Sequence, residues 1–147
     1  MIGHVRKNSS TLDLDMESAF RKVPVKILII DNDEEGTRIL SRLIELNFGK
    51  PKLIVTESGK KGIELAKRDK PDVIILGITL PDMNGFDVLK TIRSFSNMPV
   101  LIVTAWADKS YQDKARELRA TEYIVKPFSQ ADLLKKLRAA LPSENPV

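Results

Sequence analysis

Asp31, Asn32 and Asp33 follow directly on the apolar stretch Ile27-Leu28-Ile29-Ile30. Lys126-Pro127 follows a second such stretch, Thr104-Ala105 a third, and Gly77-Ile78-Thr79 a fourth. An acid and a lysine held within about 4–6 Å of one another favour each other's ionised forms. Acids gathered without a lysine call instead for a divalent cation with oxygen ligands. Gly77 brings no side chain to such a group. The catalytic alternatives are thin: no nucleophile–base pair, no glycine-rich phosphate loop and no histidine cluster is present, His4 being the only histidine. The expectation is therefore a protein that is not an enzyme.

The elements that would gather these residues are legible in the apolar pattern. Short runs rich in valine and isoleucine cover residues 25–30, 53–55, 73–76, 100–103 and 123–125. They are mostly unbroken by polar residues, as strands buried on both faces should be. Between them lie helical spacings. Ile39, Leu40, Leu43 and Ile44 form one stripe, ended by Gly49 and Pro51. Ser58 can cap a second helix, weakened by Gly59 and Gly62. Asn84 can cap a third, Asp108 a fourth, and Ser129 with Asp132 resembles a capping box that opens a fifth. Strand and helix thus alternate five times, which predicts a parallel sheet with helices on both faces. In such a sheet ligands bind beyond the carboxyl ends of the strands, where the residues named above sit.

Composition narrows the class. At 147 residues the chain suits one domain that buries roughly 70% of its unfolded surface. The absence of cysteine excludes disulfides and thiolate metal sites. A net charge of +4, with both signs interspersed, argues for a solvated surface and against a nucleic-acid patch. The longest apolar stretch, residues 73–80, is too short to span a bilayer, and the basic start lacks the apolar core of a secretory signal. A cytoplasmic location without membrane contact is expected. Residues 1–24 stand outside the rhythm, as a tail or as an extra helix with Leu12, Met16, Ala19 and Phe20 on one face. The domain proper is placed at residues 25–141, with a short tail over 142–147.

The order of these motifs resembles the receiver domain of response regulators in two-component signalling. Ile27-Leu28-Ile29-Ile30-Asp31-Asn32-Asp33 is similar to the acidic opening of that family, and Pro71-Asp72-Val73 through Leu80-Pro81-Asp82-Met83-Asn84-Gly85 to its phosphoacceptor strand and loop. Thr104-Ala105 resembles the hydroxyl switch position, Tyr123 the switch aromatic, and Lys126-Pro127-Phe128 the lysine motif. The resemblance implies a flavodoxin-like, doubly wound, five-stranded sheet in the order 2-1-3-4-5.

It also exposes a departure. Gly77 stands where the family carries its phosphoacceptor aspartate, and Asn32 where it carries a second acid. A glycine cannot form an acyl phosphate, and an amide in place of two carboxylates leaves magnesium little to bind. The pocket is then close to neutral, with Asp31 facing Lys126 as a structural ion pair and Lys126–Pro127 cis, as the family has it. Asp82 is expected to point to solvent and Asp33 to begin the first helix, so neither is expected to replace the acceptor. Trp106 is expected to cover the pocket mouth. Arg119 falls where receivers place glycine, at a cost of order 1 kcal/mol if its φ is positive.

The expected function is a stand-alone pseudo-receiver, a signalling interaction module not phosphorylated at the usual site, with no output domain following and no cofactor. The resemblance implies partners such as a histidine kinase, or a homodimer through the helix 4–strand 5–helix 5 face. Two alternatives use the same residues. One is a phosphorelay receiver in which Gly77 is an engineered change or another acceptor compensates. The other is a small-ligand sensor using the vacated pocket.

Overall fold

Alternate residues of Lys26–Ile30 face opposite sides of a sheet, and both sides are covered, so the run is apolar throughout. A computed structural model describes residues 24–142; the expectations for residues 1–23 and for the C-terminal tail beyond 142 lie outside it. Strands β1 (Lys26–Ile30), β2 (Lys52–Thr56), β3 (Val73–Leu76), β4 (Val100–Thr104) and β5 (Glu122–Val125) alternate with helices α1 (Glu34–Asn47), α2 (Gly59–Asp69), α3 (Gly85–Arg93), α4 (Lys109–Glu117) and α5 (Gln130–Ala140). All the strand pairings are parallel and the order is β2-β1-β3-β4-β5. This is the expected doubly wound sheet.

Each face has its own core. Ile27, Ile29, Val73, Ile75, Leu101 and Val103 pack under α1 and α5, which contribute Leu40, Ile44, Leu133 and Leu137. Leu28, Ile30, Ile74, Leu76, Val100 and Ile102 pack on the other side under α2, α3 and α4. A buried leucine or isoleucine cut to alanine in such a core costs about 2–5 kcal/mol. Gly62 and Gly59 belong to that second packing: a Cβ would press on Ile30 at Gly62 and on Met83 at Gly59. They therefore weaken α2 as a helix but let it approach the sheet.

Several expectations need correction. Only β1, β3 and β4 are buried on both faces, whereas the edge strands β2 and β5 are half-exposed. Ile39 leaves the buried stripe of α1 and is 53% exposed. Asp108 holds the N-cap position of α4 without a side-chain hydrogen bond. Ser129 accepts from the Asp132 N–H, but Asp132 turns its carboxylate to Lys136, so the capping box is half made. Ser58 and Asn84 cap α2 and α3 as expected.

Candidate functional site

Backbone hydrogen bonds hold the carboxyl ends of the strands level. The Asp31 N–H donates to the Thr56 carbonyl, Gly77 N–H to Ile30, and Lys126 N–H to Thr104, at 3.0, 2.8 and 2.7 Å. Asp31, Gly77, Thr104 and Lys126 are thereby brought to one end of the sheet, around a shared depression. The Lys126–Pro127 bond is cis.

Asp31 fills the place where a side chain at position 77 would begin. A Cβ added to Gly77 would fall 2.8 Å from both Cγ and Oδ1 of Asp31. The carboxylate is held there by the Asp33 N–H, which donates to Asp31 Oδ1 at 3.0 Å. Below Gly77 the chain is equally tight. Gly85 donates its N–H to the Ile78 carbonyl at 2.6 Å, and a Cβ at Gly85 would collide with the Gly77 carbonyl oxygen. The loop between them closes through a bridge from Thr79 to Asn84.

Lys126 pairs chiefly with Asp33, which corrects the expectation that Asp31 is its partner. Its ammonium lies 2.7 Å from Asp33 Oδ2 and 3.5 Å from Asp31 Oδ2. Asp33 does begin the first helix: its other oxygen accepts from the Gly36 N–H at 3.0 Å, capping α1. The Lys126 hydrogen bond and then the Gly36 N–H hold the Asp33 carboxyl below its ordinary value. Sequence reasoning placed Asp33 at the start of the helix without a role for its second oxygen, and one carboxylate has an oxygen for the cap and one for the ion pair.

Asp82 is exposed, as expected, but engaged. Its carboxylate accepts from the Gly59 N–H at 2.7 Å, the Ser58 hydroxyl at 2.8 Å and the Lys60 N–H at 3.0 Å, all at the start of α2. These donors, the Lys60 and Gly59 N–H groups foremost, lower its pKa to about 2. A carboxylate so engaged is a poor nucleophile. The signal that could have found it is the Ser58-Gly59 helix start, whose unpaired N–H groups attract an anion.

Both switch positions are tied to one residue. Thr104 is buried, and its hydroxyl oxygen accepts from the Trp106 N–H at 3.1 Å. Tyr123 donates its hydroxyl to the Trp106 carbonyl at 2.6 Å, and burial, followed by the Asp108 charge, pushes its pKa up. The Trp106 ring, 46% exposed, packs edge-on against Tyr111 of α4 with centroids 5.5 Å apart.

The donors present do not fit a magnesium ion. Asn32 is exposed and neutral, Gly77 offers no side chain, and Asp31 and Asp33 share the Lys126 ammonium. Among the described residues no three acidic, histidine or cysteine side chains converge. Magnesium takes a near-octahedral oxygen shell anchored by carboxylates. An open cavity of about 270 Å³ adjoins this group, lined by Asp31 and Lys126 together with Thr37, Leu40, Val103 and Phe128. The Thr37 hydroxyl oxygen is buried without a hydrogen-bond partner.

Comparison with known proteins agrees with the fold. Residues 27–138 match the response regulator receiver domain family. The chain is 35% identical over 136 residues to the probable transcriptional regulator ycf27 of Guillardia theta, covering 91% of this chain and 50% of that protein. It is 36% identical over 119 residues to the transcriptional regulatory protein CusR of Escherichia coli K12, covering 80% and 51%. The chain thus spans about half the length of the curated relatives it matches. Among solved structures, a LuxR-family DNA-binding response regulator from Staphylococcus aureus superposes with a TM-score of 0.73 at 27% identity, covering 79% of this chain and 98% of that one. A CheY-like receiver domain from Methanospirillum hungatei gives 0.72 at 24% identity, covering 80% and 93%, and speaks for the fold alone.

Proposed function

The chain belongs to the response regulator receiver domain family, and from that premise we propose that it works as a pseudo-receiver, a signalling interaction module without phosphotransfer at the usual position. The observation that carries this reading is the Asp31 carboxylate lying over Gly77, 2.8 Å from where a Cβ would stand. The acceptor is missing and its space is taken. Lys126, freed from a phosphoryl group, joins the cap of α1 to the end of β5 through Asp33. The switch pair is held by Trp106 without phosphate. A ligand shifts only those states that it binds differently, so a protein with no phosphoryl group to bind keeps one surface. That surface is what a partner reads.

In this proposal the protein is not an enzyme, binds no resident magnesium and acts in the cytoplasm through protein contacts. Its partners are a histidine kinase or a second copy, through the face made by α4, β5 and α5. Among the described residues no helix is long and apolar enough to cross a membrane. The test is incubation with acetyl phosphate and magnesium, followed by intact-mass measurement. No added phosphate is expected; a hydroxylamine-labile phosphate on the unaltered chain refutes the reading.

A second reading, sensing of a small ligand, is favoured by the cavity beside Thr37 and by its unpartnered hydroxyl. It no longer uses the vacated acceptor space, which Asp31 occupies. A thermal-shift screen in which Thr37→Val abolishes a ligand's stabilisation would support it, and a screen without any shift would dismiss it.

A further inference from the structure

The cavity of about 270 Å³ is walled by separate parts of the chain. Thr37 and Leu40 come from α1, Val103 from β4, and Lys126 and Phe128 from the stretch that runs from β5 into α5. Leu40 and Val103 are buried members of the core beneath α1 and α5, and Phe128 packs against that core. Small-molecule sites are mostly apolar clefts of roughly 300–1,000 Å³ with a few polar groups that fix orientation. This cavity lies at the lower end of that range and admits molecules of about one ring.

The charged residues of the lining are Asp31 and Lys126, and both are engaged. The Lys126 ammonium lies 2.7 Å from Asp33 and 3.5 Å from Asp31, and Asp31 also accepts from the Asp33 N–H. Arg38, Arg42 and Glu45 line the adjoining groove on α1 and not this cavity. An anion on Lys126 would have to take the ammonium from Asp33, and a cation on Asp31 would have to take the carboxylate from Lys126. Either exchange leaves a partly buried charge without its partner, which is costly. A neutral molecule leaves the pairs intact.

Thr37 supplies what the ion pairs do not. Its hydroxyl oxygen is buried and has no hydrogen-bond partner, whereas buried hydroxyls are ordinarily paired. We propose that the cavity takes a small neutral molecule with an apolar body and a single hydroxyl or amide group. The body lies among Leu40, Val103 and Phe128, and the polar group bonds to the Thr37 hydroxyl. A helical threonine has two favoured χ1 rotamers, so the hydroxyl can turn towards the cavity when a partner arrives. The proposal rests on the ligand-sensing reading above and adds to it the class of ligand. A molecule held this way touches α1, β4 and the loop after β5 at once, and it stabilises the folded chain by mass action.

The test is titration of the isotope-labelled full chain at pH 7, followed by NMR. Benzyl alcohol, benzoate and benzylamine are similar in size and differ in charge, and toluene lacks the polar group. Benzyl alcohol is expected to shift the amide resonances of Thr37, Leu40, Val103 and Phe128 saturably, at least about tenfold more tightly than either charged probe. Thr37→Val should weaken benzyl alcohol by about fivefold and leave toluene unchanged. The variant loses only an unpartnered hydroxyl, so its thermal midpoint should not fall, which shows that it folds. Benzoate or benzylamine binding as tightly as the alcohol at these residues overturns the neutral class and keeps the ligand site. No saturable shift there with any probe overturns the site itself, and the ligand-sensing reading with it. Binding of benzyl alcohol that Thr37→Val does not weaken overturns the role given to the hydroxyl.

Discussion

The Lys126 ammonium sits 2.7 Å from the Asp33 carboxylate that caps α1. One ion pair therefore joins the first loop of the domain to the last, across 93 residues of chain. Asp31 adds a longer contact of 3.5 Å to the same ammonium. The three side chains form a structural clasp at the carboxyl end of the sheet.

Asp33→Asn separates that clasp from the helix cap, because asparagine caps a helix about as well as aspartate. The Asp33 pKa is lowered in the folded state, so its stabilisation is complete above the unfolded value of about 3.9 and is lost as pH falls through the folded value. The side chain is 42% exposed, and solvent screening limits the effect to under about 1 kcal/mol at neutral pH. Urea unfolding should show a small loss at pH 7 that shrinks towards pH 3. A variant equally weakened at both pH values would show that the charge is not responsible.

Asp82 makes a sharper acid dependence. With a folded pKa of about 2, it stabilises fully above the ordinary carboxylate range, and the contribution is lost as pH falls towards 2. Asp82→Asn should lower the urea midpoint at pH 7 and flatten its fall between pH 4 and pH 2. The start of α2, residues 58–61, should lose hydrogen-exchange protection first. Unchanged protection there would mean that the three N–H and hydroxyl bonds to Asp82 contribute nothing.

Restoring the acceptor alone should not restore phosphorylation. Gly77→Asp adds a Cβ 2.8 Å from the Asp31 carboxylate and still leaves Asn32 as a neutral amide at the second acid position. Magnesium favours carboxylates, so the double change Asn32→Asp with Gly77→Asp is the one expected to accept phosphate from acetyl phosphate. Intact-mass measurement compares the two proteins at equal magnesium. If the single variant is modified as readily as the double, the role given to Asn32 is wrong.

The fold was legible because the strand and helix periods differ and alternate, and because Ile27 to Ile30 and Val73 to Leu76 are apolar at every position. The site was legible as an address, the strand ends carrying Asp31, Gly77, Thr104 and Lys126. Its wiring was not. Whether Lys126 meets Asp31 or Asp33 depends on about an ångström of loop geometry, and no residue type encodes that. The engagement of the exposed Asp82 was not legible for a related reason: its partners include backbone N–H groups at Gly59 and Lys60, whose directions appear only once α2 is placed. Ile39 kept its helical period but lay just beyond the arc that the sheet covers. Lys70, with φ of 46° at the end of α2, carried no turn signal at all.

Arg119 offers a gain in stability from one substitution. Its φ is 66°, the left-handed region, and the surrounding hydrogen bonds explain why. The Arg119 N–H donates to the Arg116 carbonyl and the Ala120 N–H to Ala115, both at 2.9 Å. This pair closes the end of α4 as a Schellman motif, which asks for glycine at that position. An arginine there crowds its Cβ against the following carbonyl, at roughly 1–2 kcal/mol, offset in part by the freedom glycine regains when unfolded. The Arg119 guanidinium returns only an exposed hydrogen bond to Asn97. Its carbonyl is the more useful group, accepting from Arg93 Nε at 3.1 Å and from Arg93 Nη2 at 2.9 Å, and a glycine keeps it. Arg119→Gly should therefore stabilise the protein by about 1 kcal/mol, read as a raised urea midpoint with an unchanged slope. Arg119→Ala removes the guanidinium but keeps the Cβ and should gain nothing. Equal stabilisation by both variants would place the cost in the arginine side chain and not in the backbone.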